Sequence, residues 1–364
     1  MRFRNRDTEG NGIKVLALRL GILQVVCSLL LVFPFLLKAE DGIILYPANG
    51  SSVENHSFGS QQILSNCWTP RELRGKPEEK AIRIAPLSSH QDPPQGRFPN
   101  HSFTPLKPEL QNSIRRVQPM GDKKVVALTF DLCETGNEIA GYDAAIVDYL
   151  RDNKVKATFF AGGKWMHSHP DRTMQLIADP LFEVGNHSWT HANFRLIDAG
   201  KMEEQILWTQ AQYEILREEL QSRVLAKGLD PIEMNKIPKT PLVFRFPYGT
   251  CNSQSLNLLK SYGLAAIQWD VVTGDPAKGR TAPAIVRAIL QQAKPGSIII
   301  CHANGRGHGT AESLPLFIPK LRALGYEFVT VSELLTYGPA VAGSDCYELR
   351  PRDNLRYDKL SRPK

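Results

Sequence analysis

Short apolar runs alternate with helical patterns along the second half of the chain. The apolar runs are typical of strands buried on both faces, and they cover residues 125–130, 157–161, 182–184, 242–246, 265–269, 297–301 and 327–331. The segments between them have the spacing of amphipathic helices, as in residues 144–152 and 282–293. Because helical crossovers join parallel strands, this alternation predicts an α/β fold. About seven strands predict a distorted (β/α) barrel with outer helices, and a doubly wound open sheet is the alternative.

The alternating region predicts one catalytic domain over residues 121–337. Residues 40–120 lose the periodicity and are rich in proline, which is typical of a largely irregular tether. Residues 338–364 are rich in charged side chains and predict a solvated C-terminal tail.

Basic residues precede an apolar stretch from Gly21 to Leu37. A positive flank before an apolar segment predicts either a secretory signal or an uncleaved membrane anchor over residues 1–39. Both alternatives imply export to the periplasm or cell surface, and the second implies N-terminal membrane association.

The chain has a net charge of +7, but its basic residues are spread out, which does not favour nucleic acid binding. Its 6 cysteines are too few for a disulfide-scaffolded fold of this length. Three of them lie beside candidate site residues, so a pair such as Cys133 with Cys251 would join two loops of the site.

Polar side chains follow several of the predicted strands. His187 and His191 are four residues apart after an apolar run, so both imidazoles can turn toward one metal ion. Asp131, Arg245 and His302 also come at the ends of apolar runs. Because the carboxyl ends of parallel strands open onto one face, these residues predict a single site there.

Taken in order, these motifs resemble those of the polysaccharide deacetylase family over about residues 122–336. The resemblance rests on Thr129-Phe130-Asp131, Lys156-Ala157-Thr158-Phe159-Phe160, His187-Ser188-x-x-His191, Arg245-x-Pro247-Tyr248-Gly249, Trp269 with Asp275, and Ile300-Cys301-His302. It implies a distorted (β/α) barrel and a metal-dependent esterase that removes N- or O-acetyl groups from chitin-like glycans, peptidoglycan or xylan.

Carried over by position, the resemblance implies that Asp131 is the general base and His302 the general acid. His187 and His191 would hold a divalent metal, and zinc suits imidazole ligands best. Arg245 would keep Asp131 ionised.

The same resemblance assigns further residues to the site. Asp275 would be the partner of Arg245, and Ile300 would line the pocket for the acetyl methyl group. The backbone N–H of Tyr248 would stabilise the oxyanion, with Pro247 fixing the turn that presents it. Trp269 is either a platform for a sugar ring or a core residue.

One position departs from the family pattern. The family has a second aspartate directly after the base as its third metal ligand, whereas this chain has Leu132. Glu134 is the favoured substitute, because alternate residues of an extended strand face the same side, and Cys133 is the other candidate. Two alternatives remain: Asp131 itself is a ligand, or no metal is bound.

The sequence therefore predicts a hydrolase of carbon–nitrogen bonds other than peptide bonds, acting on an acetylated polysaccharide of the cell envelope or surface. Two alternatives stay open. One is a metal-free glycan-binding protein, and the other is an amidohydrolase for a small non-sugar amide.

Overall fold

A computed structural model describes residues 58–85, 94, 98–100 and 103–360 of the protein. The predicted signal or anchor over residues 1–39 lies outside these residues. No helix within the described ranges combines the length and the apolar character needed to cross a membrane.

The strands of the described residues are β1 (Arg83–Ile84), β2 (Ser113–Val117), β3 (Val125–Leu132), β4 (Glu138–Ile139), β5 (Ala157–Ala161), β6 (Phe182–Asn186), β7 (Val243–Phe244), β8 (Ala265–Ala266), β9 (Val271–Val272), β10 (Ile298–His302), β11 (Glu327–Val329) and β12 (Ala340–Gly343). The helices are α1 (Gln61–Cys67), α2 (Pro70–Leu73), α3 (Ala144–Asp152), α4 (Gly163–Ser168), α5 (Pro170–Ala178), α6 (Ala199–Ala226), α7 (Ser253–Ser261), α8 (Ala282–Gln292), α9 (Thr310–Ala323), α10 (Val331–Leu334) and α11 (Arg356–Leu360).

The central sheet is parallel and curls into a half-barrel surrounded by helices. Its strands follow the order β8-β7-β6-β5-β3-β10-β9, and β11 pairs with the first residues of β3. Strands β8 and β9 are the two edges of this sheet, and β2 bridges the gap between them. Ile114 of β2 pairs with Ile267, just after β8, and Arg116 pairs with Ser297, just before β10. Around the barrel the strands follow chain order from β3 to β8, and then from β9 to β10, which pairs with β3 again. The predicted (β/α) barrel is therefore confirmed and the doubly wound sheet is excluded.

Strand β3 is buried along its whole length, and its side chains alternate between two apolar cores. Phe130 and Leu132 pack with the helices in the outer core. Val125 and Ala127 belong to the core inside the barrel. Asp131 therefore faces the barrel interior, while Leu132 is an ordinary core residue on the opposite side.

The described segments on either side of the predicted catalytic domain are folded. Ile63, Leu64 and Trp68 of residues 58–85 belong to the same outer core as β3, so this part of the predicted tether is packed and helical. The C-terminal strand β12 pairs antiparallel with β2. Residues 340–343 are thus part of a sheet and not a solvated tail.

Candidate active site

A cleft of about 580 Å³ opens at the carboxyl ends of the barrel strands. Residues predicted from separate motifs line it together, namely Asp131, His191, Tyr248, Trp269, Asp275, Ile300 and His302. Strands β3 and β10 contribute most directly, because Asp131 and His302 are paired neighbours in the parallel register.

Arg245 is completely buried and holds the carboxylate of Asp131. One guanidinium nitrogen, Nη1, donates to Asp131 Oδ1 at 2.8 Å and to Thr129 Oγ1 at 2.7 Å. The guanidinium also lies 4.0 Å from the centroid of the Phe160 ring, which fixes its plane. Burial alone would raise the pKa of Asp131, but the charges of Arg245, His187 and His302 and the hydrogen bond from Arg245 together outweigh burial, so the net pKa is lowered.

His302 is paired with Asp275, which corrects the prediction that Asp275 is the partner of Arg245. Asp275 Oδ1 accepts from His302 Nδ1 at 3.0 Å, and Oδ2 accepts from the backbone N–H of His302 at 2.7 Å. Thr310 Oγ1 also donates to Asp275, at 2.7 Å. Because a carboxylate only accepts, Nδ1 of His302 carries a proton, and the ring titrates at Nε2.

The two histidines lie in a tight turn after β6. Ser188 and His191 both have positive φ, 66° and 58°, which residues other than glycine rarely adopt. The turn is held from outside, because the backbone N–H of Gly163 donates to Ser188 O at 2.9 Å and Gln205 Oε1 accepts from Thr190 N at 2.9 Å. As a result the imidazole rings of His187 and His191 meet with centroids 5.0 Å apart.

His187 is oriented as metal-ligating histidines usually are. Its Nδ1 donates to the carbonyl oxygen of Arg245 at 2.8 Å, which leaves the lone pair on Nε2. That Nε2 atom is buried and has no hydrogen-bond partner among the described residues; Asp131 Oδ2 is 3.6 Å away. Burial lowers the pKa of His187, and lowers that of His191 further, so both rings are neutral donors.

A third donor atom lies beside the two histidines. The Sγ of Cys133 and one ring nitrogen of each histidine all lie within 4.8 Å of one another. Two imidazoles and a sulfur are donors that suit zinc. The residues therefore fit the divalent metal that the sequence predicts.

Glu134, the favoured third ligand in the sequence analysis, points away from the histidines. Its carboxylate accepts from the backbone N–H of Ala140 at 2.8 Å and from Ser168 Oγ at 2.7 Å. Lys164 Nζ lies 3.6 Å away, and both side chains of this ion pair are fully buried. The prediction is wrong because Glu134 shares the side of Leu132, and this side faces the outer core and not the cleft.

Tyr248 carries another strained backbone conformation at the cleft, with φ 58° and ψ 8°. Pro247 starts the 3₁₀ turn that contains it. The Tyr248 ring packs edge-on against His191, with centroids 4.4 Å apart. Ile300 and Trp269 line the cleft and also belong to the inner core.

One wall of the cleft is formed by three C-terminal residues, Glu348, Arg356 and Tyr357, in a segment for which the sequence pattern predicts a solvated tail. A disulfide between Cys251 and Cys346 attaches this segment to the barrel. The suggested pair of Cys133 with Cys251 is wrong, since Cys133 is a free thiol in the cleft.

Comparisons with known proteins identify relatives of this chain. The family model for polysaccharide deacetylases matches residues 119–267. A peptidoglycan-N-acetylglucosamine deacetylase of Bacillus cereus is 30% identical over 215 residues, which cover 58% of this chain and 69% of the relative. One of Listeria monocytogenes is 28% identical over 265 residues, which cover 73% of this chain but only 48% of that longer relative.

Among solved structures, the Bc1960 peptidoglycan N-acetylglucosamine deacetylase in complex with 4-naphthalen-1-yl-N-oxidanyl-benzamide has 26% sequence identity and a TM-score of 0.51. The match covers 62% of this chain and 93% of that chain. The chain spans about half the length of the Listeria relative. By sequence, fold and motif order, this chain belongs to the polysaccharide deacetylase family.

Proposed function

We propose that the protein is a metal-dependent deacetylase that hydrolyses N-acetyl groups of a cell-envelope polysaccharide, with the N-acetylglucosamine of peptidoglycan as the first candidate. The observation that carries the proposal is the pair of neighbouring side chains on β3 and β10. Asp131 is held as a carboxylate by Arg245, and His302 is held as an acid by Asp275. The names of the Bacillus and Listeria relatives support peptidoglycan as the substrate.

His187 and His191 would hold the metal, as the orientation of His187 and its buried, unpartnered Nε2 atom indicate. A divalent ion bound there supplies Lewis-acid chemistry, because it lowers the pKa of water and polarises a carbonyl. Asp131 Oδ2 lies 3.6 Å from His187 Nε2, so the base faces the place where water would be activated.

Asp131 acts as the general base. Its Oδ1 is bound to Arg245, so Oδ2 is the oxygen that accepts a proton from the attacking water. Arg245 keeps the carboxylate ionised by lowering the pKa of Asp131 against the effect of burial. The guanidinium also keeps the carboxylate from rotating, since it is itself held by Thr129 and Phe160.

His302 acts as the general acid. Burial lowers the pKa of His302, but Asp275 and Asp131 more than offset this effect and raise the net pKa above its ordinary value. The protonated ring can then donate from Nε2 to the nitrogen of the departing amine. The water oxygen bonds to the acetyl carbon as the carbon–nitrogen bond breaks, so the products are acetate and a free amine.

The test is acetate release from a panel of substrates, namely N-acetylated peptidoglycan and chitooligosaccharides, O-acetylated xylan and small amides. The wild-type protein is expected to release acetate from an N-acetylated glycan, to lose this activity with a chelator and to regain it on adding Zn²⁺. Asp131→Asn is expected to lower kcat by about 10²–10⁴-fold, because the base is lost while the size is kept.

Two outcomes would contradict the proposal. A protein that binds glycans but releases no acetate, with or without added metal, would be a glycan-binding protein. Release from small amides alone would indicate an amidohydrolase with another substrate class.

A further inference from the structure

We infer that Cys133 is the third protein ligand of the metal, so that the site is held by two imidazoles and one thiolate instead of the two imidazoles and one carboxylate of the family pattern. The inference deepens the proposed function, because it concerns the same metal. It also explains how the chain keeps a three-ligand site although Leu132 occupies the position of the aspartate.

The geometry brings the three donor atoms together. Cys133 Sγ and one nitrogen each of His187 and His191 lie within 4.8 Å of one another. Bonds of about 2.0–2.3 Å at tetrahedral angles place ligand atoms about 3.5 Å apart, so small side-chain rotations close the site around an ion. The Nε2 atom of His187 is buried and has no hydrogen-bond partner among the described residues, which is an independent indication that this cluster binds an ion.

The chain direction explains why Cys133, and not its neighbours, reaches this point. Leu132 packs in the outer core with Phe130, so its side chain lies on the far side of β3. Cys133 lines the same cleft as Asp131, two residues earlier. Glu134 is held elsewhere by Ala140, Ser168 and Lys164, so it is not available to the histidines.

A buried amide fixes the position of the sulfur. Asn304 Nδ2 donates to Cys133 O at 2.7 Å and to Cys133 Sγ at 3.0 Å. The other end of the amide is oriented as well, because Asn304 Oδ1 accepts from the backbone N–H of Arg306 at 3.3 Å. An N–H donor to sulfur stabilises the thiolate and orients it, which is the role of outer-shell partners at metal sites.

A thiolate ligand changes the metal preference. Soft sulfur donors favour Zn²⁺ over Mg²⁺ and Mn²⁺, which prefer carboxylate and water ligands. We therefore expect this protein to select Zn²⁺ from a mixture of these three ions.

The direct test is X-ray absorption at the zinc edge of the full chain loaded with Zn²⁺. The expected spectrum contains one sulfur scatterer at about 2.3 Å together with nitrogen scatterers at about 2.0–2.1 Å. This readout needs no variant, so it does not depend on whether a substituted protein folds.

Variants then identify the sulfur. Cys133→Ser is expected to abolish the sulfur signal and to weaken Zn²⁺ binding by on the order of 100-fold or more, because loss of a ligand exceeds the effect of an outer-shell change. Asn304→Ala is expected to keep the sulfur signal but to weaken binding by about 10–100-fold. Cys67→Ser is the matched control, since Cys67 is also a buried free thiol but lies in α1.

A zinc spectrum with nitrogen and oxygen scatterers alone would overturn the inference. Wild-type affinity of Cys133→Ser for Zn²⁺ would overturn it too, as would a failure of the wild-type chain to bind Zn²⁺. The proposed function fails differently. A sulfur-ligated zinc site without acetate release from any N-acetylated glycan would leave the ligand assignment intact and contradict the deacetylase activity.

Discussion

At the scale of single residues, two buried pairs control the protonation of the cleft. Arg245 lowers the pKa of Asp131 against the effect of burial, and Asp275 raises that of His302 against the same effect. Each pair thus favours the form that its residue's proposed role requires, a carboxylate for the base and an imidazolium for the acid. The partners come from different strands and loops, so each form depends on the assembled barrel.

This arrangement predicts the pH dependence of the reaction. Because the net pKa of His302 is raised, its acid form is present below that pKa and is lost as the pH rises through it. The alkaline limb of the kcat/KM profile should therefore lie above the ordinary histidine pKa of about 6.5. Asp275→Asn removes the main charge that raises this pKa, while Asp131 still raises it and Arg245 lowers it, so the limb should move to lower pH.

The control for this experiment is Asp122→Asn, which changes an exposed aspartate and should keep the wild-type profile. An alkaline limb at the same pH in wild type and Asp275→Asn would show that His302 is not the acid.

At the scale of elements, the turn after β6 is shaped by the start of α4. The backbone N–H groups of Gly163 and Lys164 donate to the carbonyl oxygens of Ser188 and Trp189, at 2.9 and 3.1 Å. Tertiary contacts thus maintain the unfavourable φ values of the turn. The two imidazoles converge on one point only because α4 and α6 hold this turn.

Gly163→Ala tests this coupling. A Cβ at Gly163 would lie 2.3 Å from Trp189 Cε3 and 2.8 Å from Thr209 Oγ1, so Trp189 and the turn must shift. We expect the free energy of unfolding to fall by about 1–3 kcal/mol, as in other overpacked cores, and the affinity for Zn²⁺ to fall with it. Urea denaturation and Zn²⁺ titration measure the two effects.

Gly200→Ala is the matched control in α6, where the nearest atom to a new Cβ is Asp198 Oδ1 at 3.5 Å. Alanine favours a helix over glycine by about 0.5–1 kcal/mol, so this variant should be slightly stabilised and bind Zn²⁺ normally. Equal Zn²⁺ affinity in the two variants would show that the turn does not depend on α4.

At the scale of the whole molecule, the C-terminal segment completes the cleft. Besides the disulfide, Arg115 Nη1 and Nη2 donate to the carbonyl oxygens of Tyr347 and Glu348, at 2.6 and 2.5 Å. Tyr357 then packs against Tyr248, with ring centroids 5.3 Å apart. The wall is therefore built by residues far apart in the chain.

Cys346→Ser should loosen this wall. The disulfide closes a sequence separation of 95 residues, and loss of such a crosslink costs about 2–5 kcal/mol of unfolding free energy. We expect KM for a long glycan to rise more than kcat falls, because the segment contacts the cleft and not the acid or the base. Steady-state kinetics on short and long chitooligosaccharides measure this effect, and Cys67→Ser is the control. An unchanged KM of Cys346→Ser for the long substrate would exclude the segment from substrate binding.

The sequence by itself determined seven strands of the barrel and the side chains at their ends, but not β9 or β2. The apolar runs depend on local burial, and the carboxyl ends of parallel strands open onto one face, so Asp131, His302 and the two histidines could be assigned to one face of a barrel before any contact was known. A side-chain period of two predicted that Glu134 shares the side of Leu132, but only the structure shows that this side is the outer core.

Only the tertiary structure decided the partners. Asp275 forms a hydrogen bond with His302 and not with Arg245. Glu134 pairs with Lys164, whereas Cys133 lies beside the two histidines. Cys346 forms the disulfide with Cys251. Each of these contacts depends on the path of the chain after a strand ends and on the register between distant strands. Local periodicity carries no information about either, because both are set by the packing of segments far apart in sequence.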